Sequence, residues 1–162
     1  MASPTMSYLI CSMALIVLIL VLPSFFEIQR VSIAENMTRR ELTEIADYTS
    51  NALSNLFFLA ESADASDNSL TISMTKDLLY LPLTVGDSFY VLNITDVDDS
   101  LKLVAYVEDQ QWISGESWIA PGLKRAEHSE EIYSYELGSK IAVANCTESG
   151  SAFYISLEFG EK

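Results

Sequence analysis

The chain has 162 residues, of which 23 are acidic, 9 are basic and one is histidine, and its formal net charge is −14. A chain with this net negative charge repels phosphate backbones, which argues against a nucleic-acid partner. One histidine, two distant cysteines and six glycines cannot supply a histidine-rich zinc site, a nucleophile triad or a glycine-rich phosphate loop. We therefore expect no enzyme activity, no cofactor and no small-molecule substrate.

The first predicted element is an apolar helix. Tyr8 to Phe26 is a run of 19 residues without Asp, Glu, Lys, Arg or His. As a helix it is about 28 Å long, close to the roughly 30 Å hydrocarbon core of a bilayer. Residues 1–26 are predicted to be a membrane-spanning half-helix that contacts lipid or other helices. The expected assembly residues are Leu9, Leu15, Val17, Leu18, Leu20, Leu22, Pro23, Phe25 and Phe26.

The flanks of this run favour a retained anchor over a cleaved signal peptide, because no basic residue precedes it and no small-x-small site follows it. Orientation rests on two opposing signals. Arg30, Arg39 and Arg40 follow the span and indicate a cytoplasmic C-terminal part. Three Asn-x-Thr motifs, which begin at Asn36, Asn93 and Asn145, are candidate glycosylation sites and indicate an external one. We favour an extracellular C-terminal domain.

The helical pattern continues beyond the span as an amphipathic extension over residues 27–64. Its apolar positions recur at i, i+3, i+4 and i+7, which is typical of a helix with one buried face. This stripe predicts a helix–sheet core of Leu42, Ile45, Ala46, Thr49, Leu53 and Leu56. No Gly or Pro lies between Pro23 and Pro82, and the helix is expected to end within the turn-forming segment 62–69.

Residues 65–162 are predicted to form an antiparallel β domain with one buried face. Phe89–Thr95 and Leu101–Val107 alternate around an acidic loop and predict one hairpin. Glu131–Leu137 and Lys140–Cys146 flank Gly138-Ser139 and predict a second. A further strand is expected at 151–159 and a weaker one at 70–74. The fold class is α+β, with one long N-terminal helix packed on an antiparallel sheet.

Three local features have competing interpretations. Asp96, Asp98 and Asp99 could bind calcium, although Asp is also a common turn residue. His128 lies in a polar segment and is interpreted as a solvated loop residue. Trp112 and Trp118 form a possible contact surface, because tryptophan is enriched at interfaces. The alternative, which we favour, is that both pack in the core beside the helix.

Several segments resemble type IV pilins, in particular those of archaea. Ala2–Met6, which leads into the apolar run, resembles the sequence that follows the cleavage site of archaeal class III signal peptides. Pro23 lies where many pilins bend their helix. Arg40–Tyr48 and Leu81–Gly86 are similar in style to archaeal pilin-like membrane proteins. The resemblance implies a helix that is half in the membrane and half packed on a sheet, and subunits that assemble through it.

Two hypotheses for function remain. In the first, the chain is a structural subunit of a pilus-like filament or membrane complex, and its partners are copies of itself or other pilin-like subunits. In the second, the chain is a single-pass anchor for an extracellular binding module that does not polymerise. Both place the protein in the cell membrane, and the first extends it into a surface filament.

Overall fold

The computed structural model of this protein describes residues 4–64, 72–150 and 152–161. Its architecture is α+β, as predicted: one long N-terminal helix and two sheets in which antiparallel pairing predominates. The elements are helix α1 (Pro4–Asp64) and strands β1 (Ser73–Asp77), β2 (Tyr90–Val97), β3 (Ser100–Val107), β4 (Gln110–Trp118), β5 (Leu123–Arg125), β6 (Ile132–Tyr133), β7 (Lys140–Ser149) and β8 (Ala152–Glu161). A short 3-10 helix, Ser134–Gly138, lies between β6 and β7.

The chain divides into two compact units, Met1–Asn36 and Met37–Lys162. The described part of the first unit is helical and contains a stretch long and apolar enough to cross a membrane. Pro23 lies inside the helix, where its ring removes the hydrogen bond to the carbonyl of residue 19. The Ser24 hydroxyl donates to the Leu20 carbonyl, at 3.3 Å, so it binds the carbonyl next to the one that Pro23 frees.

The second unit contains two four-stranded sheets rather than the single meander that the sequence predicts. The first sheet has the strand order β1-β7-β8-β5 and the second has the order β4-β3-β2-β6. β5 pairs in parallel with β8, and the other named pairs are antiparallel. After β5 the chain stays beside β8, since Glu130 N–H donates to the Leu157 carbonyl at 2.8 Å. It then enters the second sheet as β6, so this segment connects both sheets.

The first predicted hairpin is confirmed. β2 and β3 pair in register from Tyr90 with Val107 to Val97 with Ser100. The loop is shorter than predicted, because only Asp98 and Asp99 separate the strands. Their φ angles of 46° and 62° are the left-handed pair that a type I′ hairpin turn requires.

The second predicted hairpin is wrong. Residues 131–137 do not pair with β7: β6 pairs with β2 in the other sheet, and the chain then turns through the 3-10 helix. The Ser134 hydroxyl accepts a hydrogen bond from Tyr90 N–H at 2.9 Å, which fixes this turn against β2. Leu137, which lies in the same turn, is also buried. The alternating apolar residues of segment 131–137 therefore belong to a connection between the two sheets and not to a single strand.

The remaining strands agree in part with the sequence predictions. β8 is present, with Ile155 and Leu157 buried on the predicted face. The weak strand appears as β1, displaced toward the C-terminus, and Leu70 and Thr71 of the original prediction lie outside the described residues. β4 and β5 are additional strands that the sequence analysis does not predict.

The second half of α1 supplies one wall of the core in the second unit. The six predicted core residues, Leu42, Ile45, Ala46, Thr49, Leu53 and Leu56, are each 0–7% exposed. The approach to β4 is close: a Cβ on Gly115 would lie 2.2 Å from the Thr43 nitrogen. Further along the helix the Ser50 and Ser117 hydroxyls share a 2.8 Å hydrogen bond. Glycine and serine thus allow the helix and strand backbones to approach closely.

Candidate assembly surfaces

The side chains of the predicted assembly residues are exposed. Leu9, Leu15, Val17, Leu18, Leu20, Leu22, Phe25 and Phe26 are 42–67% exposed, and Pro23 is exposed as well. They surround the helix on all sides, so the first unit provides no cover for them. A helix that is apolar on all sides is typical of a membrane span or of a helix buried among other helices.

Apolar exposure does not end with this run, a feature that sequence reasoning missed. Ile28, Val31 and Ile33 are 69%, 51% and 59% exposed. Charged Glu27, Arg30 and Glu35 are interspersed with them, and charged side chains are costly in hydrocarbon. The sequence contains a signal for this exposure, because these apolar residues follow the span at spacings of three and two.

A second exposed apolar feature lies beside α1 in the second unit. Leu79, Tyr80 and Leu83, in the loop after β1, are 67%, 82% and 49% exposed. The Tyr80 ring packs edge-on against Tyr48 of α1, with 6.2 Å between the ring centroids. Between this loop and the helix is a groove of about 480 Å³, which we call the Tyr80 groove. Its apolar lining is Ile45, Tyr48, Tyr80, Leu81, Pro82 and Val85.

Two carboxylates give the Tyr80 groove its charge. Glu41 and Glu44 line it, and both side chains are exposed, so they form its rim. Glu44 also lies 3.5 Å from Arg40, but both side chains of that pair are more than two-thirds exposed, and solvent screens it. The groove therefore combines an apolar floor with a negative rim. Sequence reasoning missed it, because loop and helix are about 35 residues apart.

Trp112 and Trp118 lie on β4, where they are 64% and 59% exposed. The favoured interpretation, that both pack in the core, is therefore wrong. The core positions of this strand are Ile113 and Gly115, which alternate with the outward-facing side chains. Lys102 extends over the Trp118 ring, 5.5 Å from its centroid, and also forms an ion pair with Glu116. The possible contact surface is thus available to solvent.

The three glycosylation candidates lie in different environments. Asn36 is exposed on α1. Asn93 and Asn145 lie in β2 and β7 and are half-buried, and the Asn93 amide donates to Glu131 Oε1 at 2.7 Å. In both strands the middle residue of the motif, Ile94 or Cys146, is fully buried. A strand that alternates polar-out and apolar-in produces Asn-x-Thr without any need for a glycan.

Tyrosine and cysteine pKa values reflect the same packing. The Tyr133 hydroxyl donates to Glu131 Oε2 at 3.0 Å, and this hydrogen bond raises the pKa of Tyr133. Burial raises the pKa of the Cys146 thiol. Both shifts disfavour the charged form, so neither group is prepared for nucleophilic chemistry.

The remaining candidate residues are the aspartates of the β2–β3 turn and His128. Asp96, Asp98 and Asp99 are exposed at the β2–β3 turn, and within residues 4–64, 72–150 and 152–161 no three His, Cys, Asp or Glu side chains converge to hold a metal ion. His128 is exposed in the segment between β5 and β6.

Comparison with protein-family models, curated proteins and solved structures finds no match in any of the three.

Proposed function

We propose that this protein is a structural subunit of a type IV pilus-like filament or pilin-like membrane complex, assembled through the apolar part of α1. The proposal includes an archaeal pilin-like origin, as the N-terminal resemblance implies, and no enzymatic role. Its partners are membrane lipid before assembly and other copies of the chain, or related subunits, afterwards.

One observation carries the proposal: the exposed apolar surface of the helix is longer than a bilayer requires. From Met6 to Ile33 large apolar side chains remain exposed, over 28 residues or about 42 Å of helix. The hydrocarbon core covers roughly 30 Å. Tilting the helix could absorb part of this excess, but Glu27 and Arg30 resist transfer into hydrocarbon.

Ile28, Val31 and Ile33 therefore need cover from protein rather than from lipid. A bundle of parallel helices from neighbouring copies supplies such cover over its whole length, inside and outside the membrane. Helices that are apolar on all sides also exchange lipid for neighbouring helices with little change in solvation. A simple membrane tether needs no apolar side chains in this segment.

The test is electron microscopy of material sheared from cells that make the full-length chain. We expect long fibres that contain the protein and have a helical core. A double variant, Ile28→Ser with Val31→Ser, should remain in the membrane fraction but lose the fibres, because its span is unchanged. The matched control, Gln29→Ala with Ser32→Ala, alters polar positions of the same segment and should assemble like the wild type. Wild-type protein found only as a detergent-extracted monomer would refute the proposal.

The second candidate is a membrane-anchored binding module, and the exposure of Trp112 and Trp118 favours it. Two tryptophans on one outward strand face can anchor a partner. Replacing both by Ala should abolish binding of an envelope component and leave the melting temperature unchanged if this candidate is correct. If fibres form normally in that variant, the tryptophans are dispensable for assembly.

We further propose that residues 37–162 lie outside the cell and that Asn36 is the preferred glycosylation site. Its exposed side chain supports this, whereas Asn93 and Asn145 are half-buried in strands. Mass spectrometry of glycopeptides from native protein tests both points, and protease added to intact cells should cleave the external part. Protection of residues 37–162 from that protease would place them in the cytoplasm.

A further inference from the structure

We propose that the Tyr80 groove is a docking site for α1 of a second copy of this chain, which inserts Ile33 and Met37 and places Arg30 against the Glu41 and Glu44 rim. This inference rests on the proposed function, because it specifies where neighbouring subunits touch outside the membrane. It specifies the groove on one copy, the helix segment of the next copy that enters it, and the charged groups that pair between them.

The groove has the chemistry of an apolar ligand site with a negative edge. Its floor is formed by Ile45 and Tyr48 from the helix and by Tyr80, Leu81 and Pro82 from the loop. Tyr80 is 82% exposed and Leu79, next to it, is 67% exposed, so the loop projects apolar surface into water. A groove of about 480 Å³ has room for several aliphatic side chains.

The proposed occupant carries matching groups at helical spacing. Arg30, Ile33 and Met37 are at positions i, i+3 and i+7, which places them on one side of a helix. Ile33 and Met37 are 59% and 61% exposed, and the Arg30 side chain is exposed as well. One helix face thus presents two apolar side chains preceded by a cation one turn earlier, which suits an apolar floor with an acidic rim.

Charge complementarity supports the basic segment of α1 as the occupant. Residues 37–162 carry 21 acidic and 8 basic residues, so two sheet domains repel each other and an acidic partner is disfavoured at the rim. Three of the nine basic residues, Arg30, Arg39 and Arg40, lie within one short segment of α1. Of these, Arg30 lies on the same helix face as the exposed Ile33, so a neighbouring copy brings this cation to the groove.

Such a contact joins two different surfaces of the same chain. It is heterologous, and repeated heterologous contacts produce open helical filaments unless the rotation closes into a ring. The docking site thus deepens the proposed function, since it supplies a head-to-tail contact in addition to the packing of spans.

The test is charge reversal followed by exchange, in the full-length chain. Arg30→Glu and Glu41→Arg should each lower the yield of sheared fibres about tenfold or more, because each puts like charges at the contact. The double variant with both changes should restore assembly. Ser32→Glu is the matched control: it adds one negative charge at an exposed position on the other side of the helix and should assemble normally. All variants should remain in the membrane fraction with an unchanged melting temperature.

Disulfide formation between differently tagged chains gives a second measurement. One chain carries Ile33→Cys and the other Tyr80→Cys, both with Cys11→Ser, and mild oxidation should link the two tags. Ser32→Cys, on the other side of the helix, paired with Tyr80→Cys should not give the linked product. Normal fibres from Arg30→Glu, or no rescue by the exchange, would overturn the docking site while the filament remains. Absence of wild-type fibres would instead overturn the proposed function and the docking site together.

Discussion

The two parts of α1 are both rich in apolar residues but have opposite surroundings. In the first unit the large apolar side chains from Met6 to Ile33 are 42–78% exposed, whereas Leu42, Leu53 and Ala60 in the second unit are fully buried. The difference follows from pattern rather than from composition. A helix that is apolar on all sides cannot be covered by one sheet domain, while a striped helix can.

The comparison teaches that apolar content has two uses in this chain. The apolar stripe of the second part is buried when a single copy folds. The evenly apolar part keeps its surface exposed when a single copy folds. Substitutions in the two parts of the helix should therefore have different effects on stability.

The largest difference is expected when the same substitution, Leu→Ala, is made separately in each part of the helix. Leu53→Ala should destabilise the second unit by about 3–4 kcal/mol, because it opens a cavity at a fully buried position. Leu18→Ala should leave the stability of that unit unchanged, since Leu18 is 55% exposed in the first unit. Denaturant unfolding in detergent, followed by near-ultraviolet circular dichroism, measures both. Equal effects would show that the apolar run contributes to the same core.

The close approach of helix and strand gives the next effect. Gly115→Ala should destabilise the second unit by about 2–3 kcal/mol, because the new methyl group would meet backbone atoms of Leu42 and Thr43 within 2.4 Å. Gly138→Ala is the control, since nothing lies within 4 Å of its added Cβ. Thermal unfolding of the two variants checks this. A stable Gly115→Ala protein would mean that the helix can move away from β4.

The two cysteines report the same contrast kinetically. Cys146 is fully buried and burial raises its pKa, so its reactive thiolate is scarce until the unit opens. In the Cys11→Ser variant we expect maleimide labelling of Cys146 to be more than about 100-fold slower in the native protein than in denaturant. In the Cys146→Ala variant, Cys11 lies outside the core of the second unit, so denaturant should change its labelling by a membrane-permeant reagent far less. Rapid native labelling of Cys146 would indicate a loose core.

The smallest effect concerns the β2–β3 turn. Asp99 has a φ of 62°, which glycine adopts without strain. Asp99→Gly should therefore stabilise the second unit by about 0.5 kcal/mol. Asp109→Gly, in the β3–β4 connection, is the control and should give no gain, because only Asp87, Asp98 and Asp99 among the described non-glycine residues have positive φ. Thermal unfolding measures the difference, and a loss of stability in Asp99→Gly would contradict it.

Local pattern was enough to predict those features that depend on neighbours in the chain. The apolar run, the buried stripe of α1 and the β2–β3 hairpin each arise from periodicity or from one turn. The exposed Trp112 and Trp118 were harder, since a tryptophan in the sequence does not reveal which side of a strand it occupies. Their outward orientation follows from the burial of Ile113 and Gly115, which alternate with the exposed positions of β4.

A membrane-length apolar helix, a striped continuation and an acidic β domain could be predicted without the structure, because composition and period are local properties. Tertiary structure alone decided that the strands form two sheets, that residues 132–138 cross between them, and that the Tyr80 loop meets α1. These outcomes depend on competition among distant segments for the same buried surface, and no short window of sequence contains that competition.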